Sequence, residues 1–244
     1  MNVPRIIANV FGYDLVRISK YHPTIESHLQ MLLSNMAIDV VLDVGANTGG
    51  FGKMLRKIGY QEHIVSFEPV KRSYDVLTMQ SKGDRLWTAF NYALGAEQSE
   101  PSINVPKPDD FSSFLNVTTS AKEIWSDVFT SVDKETVRVE CLDDVFPGIE
   151  KGLAGCHSIF LKMDTQGYDL EVLKGAKEVL TRIRGLQSEI SMIPIYQGMP
   201  DYLESLTLFR QKGFELTGLY PVSRNKDTLG VVEMDCVMRR RDLS

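Results

Sequence analysis

The chain has 244 residues, 43% of them hydrophobic and 24% charged, with a net charge of -5. That balance suits one soluble α/β domain with additions and gives no electrostatic basis for a nucleic-acid partner, which calls for a basic face. No run approaches the roughly 18 apolar residues of a spanning helix, no basic–apolar–small signal pattern opens the chain, and three scattered cysteines (Cys141, Cys156, Cys236) do not make a disulfide framework.

A cytoplasmic protein with buried, reduced thiols is therefore expected. Between Asn2 and Tyr21, Ile6, Ile7, Val10, Phe11, Leu15, Val16 and Ile18 alternate with Arg5, Arg17 and Lys20. Such a segment lies on a membrane surface, or packs on the domain or covers the ligand cleft, and packing is the commoner fate of an apolar face. From Thr24 to Met36, Ile25, Leu29, Leu32, Leu33 and Met36 recur at helical spacing behind a Thr24 N-cap. Residues 1–37 thus read as a helical segment packed on a core of residues 38–244.

Ile38 to Val44 reads as a buried strand ending in Asp43-Val44, followed by Gly45-Ala46-Asn47-Thr48-Gly49-Gly50-Phe51. Strand, glycine loop and helix start together bring backbone N–H groups against a ligand at a helix N-terminus. Asn47 stands where the second glycine of a dinucleotide loop lets a pyrophosphate touch the backbone. The ligand implied is a nucleoside without a pyrophosphate, and S-adenosylmethionine fits. The helix from Gly50 to Ile58 turns Phe51, Met54, Leu55 and Ile58 to one side and stops at Gly59. Ile64 to Glu68 is the next strand, and Glu68 falls 25 residues after Asp43. An acid there accepts hydrogen bonds from both ribose hydroxyls, and Pro69 ends the strand behind it.

A helix follows over Lys71–Ser81, then a strand over Leu86–Ala93. Asn91, with Ala93 beyond it, falls where an adenine edge would lie; the alternative is a turn asparagine. Residues 95–135 are polar, with short strands at Ser102–Val105 and Phe114–Val117, and read as an insertion that can close over the cleft. Ser112 and Ser113 either close on the ligand or are ordinary loop polarity. Thr136–Leu142 and Ser158–Asp164 read as strands, Asp169–Leu180 as a helix and Gly185–Pro194 as a strand. Pro200–Lys212 reads as a helix with Leu203, Leu206 and Phe209 inward. Phe214–Tyr220 and Val231–Met238 form a hairpin-like pair with Asn225 and Asp227 in the turn. Alternating strands and helices imply a Rossmann-like, mostly parallel seven-stranded sheet with helices on both faces and an antiparallel C-terminal edge.

Asp43 either orients the loop and reaches the ligand's ammonium or caps loop N–H groups. Asp164 ends a central strand, where ligands of open α/β sheets bind, and can hold the ammonium, position a hydroxyl, take its proton or cap the next helix. Glu189, in an apolar strand, is a second acid–base candidate or a structural partner. Tyr196 lines a substrate pocket or is core. His22, His28, His63 and His157 have no metal-ligand spacing with one another or with the cysteines, so no structural metal is expected.

VLDVGANTGGFG, SFEPV, FSSFL, LDDV, LKMDTQGYDLEVLKGA and IPIYQGMPDYLE together resemble the FkbM family of S-adenosylmethionine-dependent O-methyltransferases, from about Val40 to Asp235. The resemblance implies a class I methyltransferase fold and methylation of a free hydroxyl on a sugar, glycan or polyketide-type acceptor, leaving S-adenosylhomocysteine. It adds Ser112 and Ser113 to the cofactor site. Many members carry Glu where this chain has Gln166, which leaves Asp164 or Glu189 as base, beside Gln166 and Tyr196 toward the substrate. Two rivals share the loop: a non-catalytic S-adenosylmethionine binder, and an NAD-dependent oxidoreductase, which Asn47 disfavours.

Overall fold

The computed structural model describes residues 10–11, 24–107, 109–153, 155 and 157–241. The reading of 2–21 falls almost wholly outside them, as do those of His22 and Cys156. The strands are β1 (Val40–Val44), β2 (His63–Phe67), β3 (Trp87–Phe90), β4 (Ala93–Leu94), β5 (Ser102–Pro106), β6 (Val132–Thr136), β7 (Val139–Glu140), β8 (Ile159–Met163), β9 (Ile183–Ser191), β10 (Phe214–Arg224) and β11 (Val231–Arg240). The helices are α1 (Ile25–Asn35), α2 (Gly50–Lys57), α3 (Lys71–Ser81), α4 (Thr119–Ile124), α5 (Leu142–Glu150), α6 (Asp169–Lys174) and α7 (Tyr202–Gln211).

Seven strands form one sheet in the order β3-β2-β1-β8-β9-β11-β10. β1 pairs in parallel with β2 and β8, and every one of its five residues is buried. Near-continuous apolar strands are what a sheet covered on both faces requires. On one face Leu29, Leu32 and Leu33 of α1, Leu55 of α2 and Leu77 of α3 pack with Val41, Ile64 and Phe160. On the other, Leu142 and Phe146 of α5, Val172 and Leu173 of α6 and Phe209 of α7 pack with Val40, Leu42 and Val44. The alternation of β1 side chains feeds both cores.

β11 is antiparallel to both β9 and β10. The reversed strand is therefore inserted one place in from the edge, and β10 at the edge runs with the parallel majority. The Asn225 side chain accepts the N–H groups of Asp227 and Thr228 in the connecting turn.

Several expected elements take a different form. β3 stops at Phe90, because Ala93–Leu94 leave it to pair with β7. The strand expected over Thr136–Leu142 splits: β6 pairs with β5, β7 is two residues long, and Leu142 opens α5. Phe114–Val117 is not a strand, although single bridges join Ser113 to Asn104 and Val117 to Tyr196. The helix expected to reach Leu180 ends at Lys174, since Gly175 packs so closely on Gly95 that a Cβ would meet the Gly95 carbonyl oxygen at 1.9 Å. In α7, Leu203 is 58% exposed rather than inward. Cys141 is half-buried, and Cys236 fully so.

Candidate active site

The cleft opens at the carboxyl ends of β1, β2, β8 and β9, with a volume of about 560 Å³, within the usual range for small-molecule sites. Its first wall is the glycine loop. Gly45 has φ +73°, and a Cβ there would meet the Asp164 carbonyl oxygen at 2.0 Å, so the close approach of β1 and β8 requires glycine. Asn47 takes φ +46°, the left-handed conformation that asparagine tolerates better than most residues. Its backbone N–H donates to Glu68 Oε2 at 2.7 Å and its Nδ2 to Asp110 Oδ1 at 2.7 Å. Asn47 Oδ1 is buried without a hydrogen-bond partner. Gly49, at φ +88°, precedes the first turn of α2 and packs behind the loop on Leu77 and Trp87.

Glu68 closes the end of β2. It is buried, lines the cleft, and also accepts the Val70 N–H at 2.8 Å through Oε1. Asn91 lies behind this wall, its Nδ2 donating at 2.9 Å to the carbonyls of Glu68 and Pro69. Its polar end is thus engaged in holding the strand tip, while Pro69 and Ala93 line the cleft itself.

Below the loop, Asp43 is fully buried and accepts Ser66 Oγ at 3.1 Å. It does not line the cleft; Lys162 lies between. The Lys162 ammonium sits 3.3 Å from both Asp43 Oδ1 and Asp164 Oδ2 and donates to the Gly45 carbonyl at 3.2 Å. Burial pulls its pKa down, but Asp164 and Asp43 outweigh that and hold it above the ordinary lysine value. Burial pushes Asp43 the other way, upward, opposed by Lys162. Lys162 carries no local signal, because one lysine in an apolar strand makes no pattern; its place opposite Asp43 on β1 appears only in the sheet register.

The far end of the cleft is acidic. Gln166, at φ +52°, donates from Nε2 to Asp164 Oδ1 and to Glu189 Oε1, each at 3.2 Å. Its Oε1 accepts the Tyr196 hydroxyl at 2.8 Å, and that hydroxyl also donates toward the Phe111 carbonyl at 3.0 Å. Tyr196 is therefore buried behind the wall, and Gln166 is the side chain that reaches the cleft. Burial, then the charges of Asp164 and Glu233, push the Glu189 carboxyl well above its ordinary value. Burial raises Asp235 to about 6, against the Gln187 hydrogen bond and with Asp164 adding to it. Glu233, Asp235 and Gln187 line the cleft too, and no local motif marks them.

The 95–135 segment supplies Ile103, Asp110, Phe111, Ser112 and Phe114 to the wall. Ser113 is buried behind Ser112, donating to the Gln166 carbonyl at 2.7 Å. In the linear chain the two serines are equivalent; the backbone decides which one faces the cleft.

This strand order, with a glycine loop after β1 and an acid closing β2, defines a class I S-adenosylmethionine-dependent methyltransferase. The family model for the methyltransferase FkbM domain matches residues 43–216, and the chain belongs to that family. Its cofactor is S-adenosylmethionine.

Similar solved structures include the methyltransferase domain of bacterial CtHen1, at 10% identity and TM-score 0.45, covering 89% of this chain and 97% of that one. Magnesium protoporphyrin IX methyltransferase from Synechocystis PCC 6803 with bound S-adenosylmethionine is 11% identical with TM-score 0.45, over 98% and 96% of the two chains. Aeropyrum pernix fibrillarin with natively bound S-adenosylmethionine is 11% identical with TM-score 0.42, over 96% and 73%. No curated protein sequence matches the chain significantly. The cleft suits the cofactor: a loop whose close approach to β8 only glycine allows, a buried carboxylate closing β2, and an Asn47 Oδ1 that is buried without a hydrogen-bond partner.

Proposed function

We propose that the chain methylates a hydroxyl oxygen of a small acceptor of the sugar, glycan or polyketide type. Bound S-adenosylmethionine supplies an electrophilic methyl group. Glu68 holds the ribose hydroxyls, with Gly45, Ala46, Asn47 and Phe51 along the nucleoside and Pro69, Ala93 and Ser112 around the base. Asp164, steadied by Lys162, takes the ammonium of the methionine end. Residues 95–135 act as a lid that excludes water.

The observation that carries the reading is the Gln166 bridge between two carboxylates at the acceptor end of the cleft. Asp164 is engaged with Lys162, which leaves Glu189 as the base. Burial, Asp164 and Glu233 raise its pKa, which makes the carboxylate a stronger base toward a hydroxyl proton. An acceptor hydroxyl that takes the methyl group, with the sulfonium S–C bond breaking to leave S-adenosylhomocysteine, would pass its proton to Glu189. Alignment by the walls supplies most of the acceleration, and the base adds about 10²–10⁴-fold. Tyr196 and Ser113 hold Gln166 in place from behind.

Calorimetry and a methyl-transfer assay test this together. Micromolar binding of S-adenosylmethionine and S-adenosylhomocysteine, but not NAD, is expected, with a tenfold or greater loss in Glu68→Ala. Glu189→Gln should keep cofactor affinity and lose transfer to hydroxylated glycans or polyketides. Transfer at the wild-type rate in that variant would remove Glu189 from the mechanism, and a wild-type protein that binds cofactor but methylates nothing would be a binder.

A further inference from the structure

The acceptor end of the cleft holds more negative charge than the chain itself neutralises. Lys162 is the one cation lining the cleft among the described residues, and its ammonium is taken up by Asp43, Asp164 and the Gly45 carbonyl. Beyond β8 the sheet presents Glu189 from β9 and Glu233 and Asp235 from β11. The register sets Asp235 opposite Glu189, and Glu233 opposite Ser191 two residues on, so the three carboxylates share a face. Their donors are neutral: Gln166 Nε2 at 3.2 Å on Glu189, Ser223 Oγ at 2.7 Å on Glu233, and Gln187 Nε2 at 3.0 Å on Asp235, while Glu189 and Glu233 also meet each other at hydrogen-bonding range. Among the described residues, no lysine, arginine or histidine lies within ion-pair distance of the three.

Gln187 supplies an independent sign of a missing partner. It is 4% exposed, lines the cleft, and its Oε1 has no hydrogen-bond donor. A buried acceptor left unsatisfied keeps the full cost of its lost hydration. Whatever enters the cleft here must bring N–H or O–H donors and positive charge. A cofactor amino group held at Asp164 does not reach Glu233 and Asp235, because β11 lies two strands beyond β8, roughly 10 Å at the usual strand spacing.

We infer that Gln187, Glu189, Glu233 and Asp235 form an ammonium subsite, and that the acceptor is a hydroxylated primary amine of the amino-sugar or aminocyclitol class. The inference rests on the methyltransferase reading above and names its substrate class. An ammonium brings three N–H donors to a subsite of acceptors, the three carboxylates and the Gln187 Oε1 beside them. The carboxylates keep the amine protonated, so its lone pair is tied up and it serves as an anchor. The nucleophile is a neighbouring hydroxyl, whose proton goes to Glu189. A neutral sugar would leave the carboxylates facing one another with no cation between them.

The test uses the full chain saturated with S-adenosylhomocysteine at pH 7, titrated calorimetrically with 2-amino-2-deoxyglucose, its N-acetyl derivative, glucose and magnesium chloride. The amine should bind at least tenfold more tightly than the acetamide or glucose. In Glu233→Gln/Asp235→Asn that preference should fall to within threefold while S-adenosylhomocysteine affinity stays at the wild-type value. Should the double variant not fold, Asp235→Asn alone should cost the amine at least threefold. Equal binding of amine and acetamide to wild type, or binding of neither, overturns the subsite. Binding of magnesium that displaces the amine overturns it in favour of a metal. Failure of wild type to bind S-adenosylhomocysteine is a separate result, and it would sink the methyltransferase reading instead.

Discussion

Lys162 joins the two halves of the cleft floor, with one carboxylate buried beneath it and one exposed to the ligand. Replacing it with methionine keeps most of the volume and leaves Asp43 buried beside Asp164 with no cation. Removing one partner of a buried pair typically costs about 3–5 kcal/mol. Lys162→Met should therefore unfold at markedly lower urea, and Asp43→Asn added to it should restore part of the loss; no change in the midpoint would show that solvent already reaches the pair. Gly45→Ala is a backbone test at the same place. Its Cβ meets the Asp164 carbonyl oxygen at 2.0 Å, and φ +73° adds about 1–3 kcal/mol of strain. Calorimetry on this variant should register no cofactor binding, with a lowered melting temperature.

Capping and exposure make α7 a control at the level of elements. The Asp201 side chain accepts the Glu204 N–H at 2.8 Å, so Asp201→Ala should lower stability by about 1 kcal/mol without altering cofactor affinity. Leu203, on the exposed side, should tolerate lysine within about 0.5 kcal/mol, measurable by the same denaturant titration. The α5 helix shows how local signals mislead. Asp143-Asp144 and Pro147 resemble a turn, and interior proline removes a helical hydrogen bond. Yet Leu142 and Phe146 are buried against the sheet, and the Asp143 carboxylate accepts the N–H groups of Glu178 and Val179. Tertiary burial and that distant cap outweigh local propensity.

Proton binding at the acidic end couples to the stability of the whole molecule. Asp235 has its pKa raised from 3.8 to about 6, so the folded state holds a proton that the unfolded chain has released. Stability should therefore fall as pH rises from about 4 to 6 and level off above, by up to roughly 3 kcal/mol from this group. Glu189, also raised, acts in the same direction. Urea midpoints compared across that window should show a smaller fall in Asp235→Asn than in wild type; parallel curves would mean that Asp235 titrates as in water. A bound ammonium would oppose the effect by holding the carboxylates ionised.

Most of the scaffold could be read in the linear chain, because its signals are short-range. The buried run of β1, the glycine loop, the Thr24 cap of α1 and the acid closing β2 each depend on residues a few positions apart. Those signals define the class I fold and the adenosyl cofactor, and the motif blocks point to the family. Tertiary structure decided what depends on register. β11 enters between β9 and β10 and so carries Glu233 and Asp235 to the acidic end of the cleft beside Glu189. Lys162 meets Asp43 across two strands that are 119 residues apart in sequence position. Asn91, Ser113 and Tyr196 turn behind the wall, while Gln166 and Ser112 face the cleft. Local sequence specifies a backbone through propensity and hydrophobic period, but the direction of a polar side chain and the charge around it come from strands adjacent only in the folded sheet.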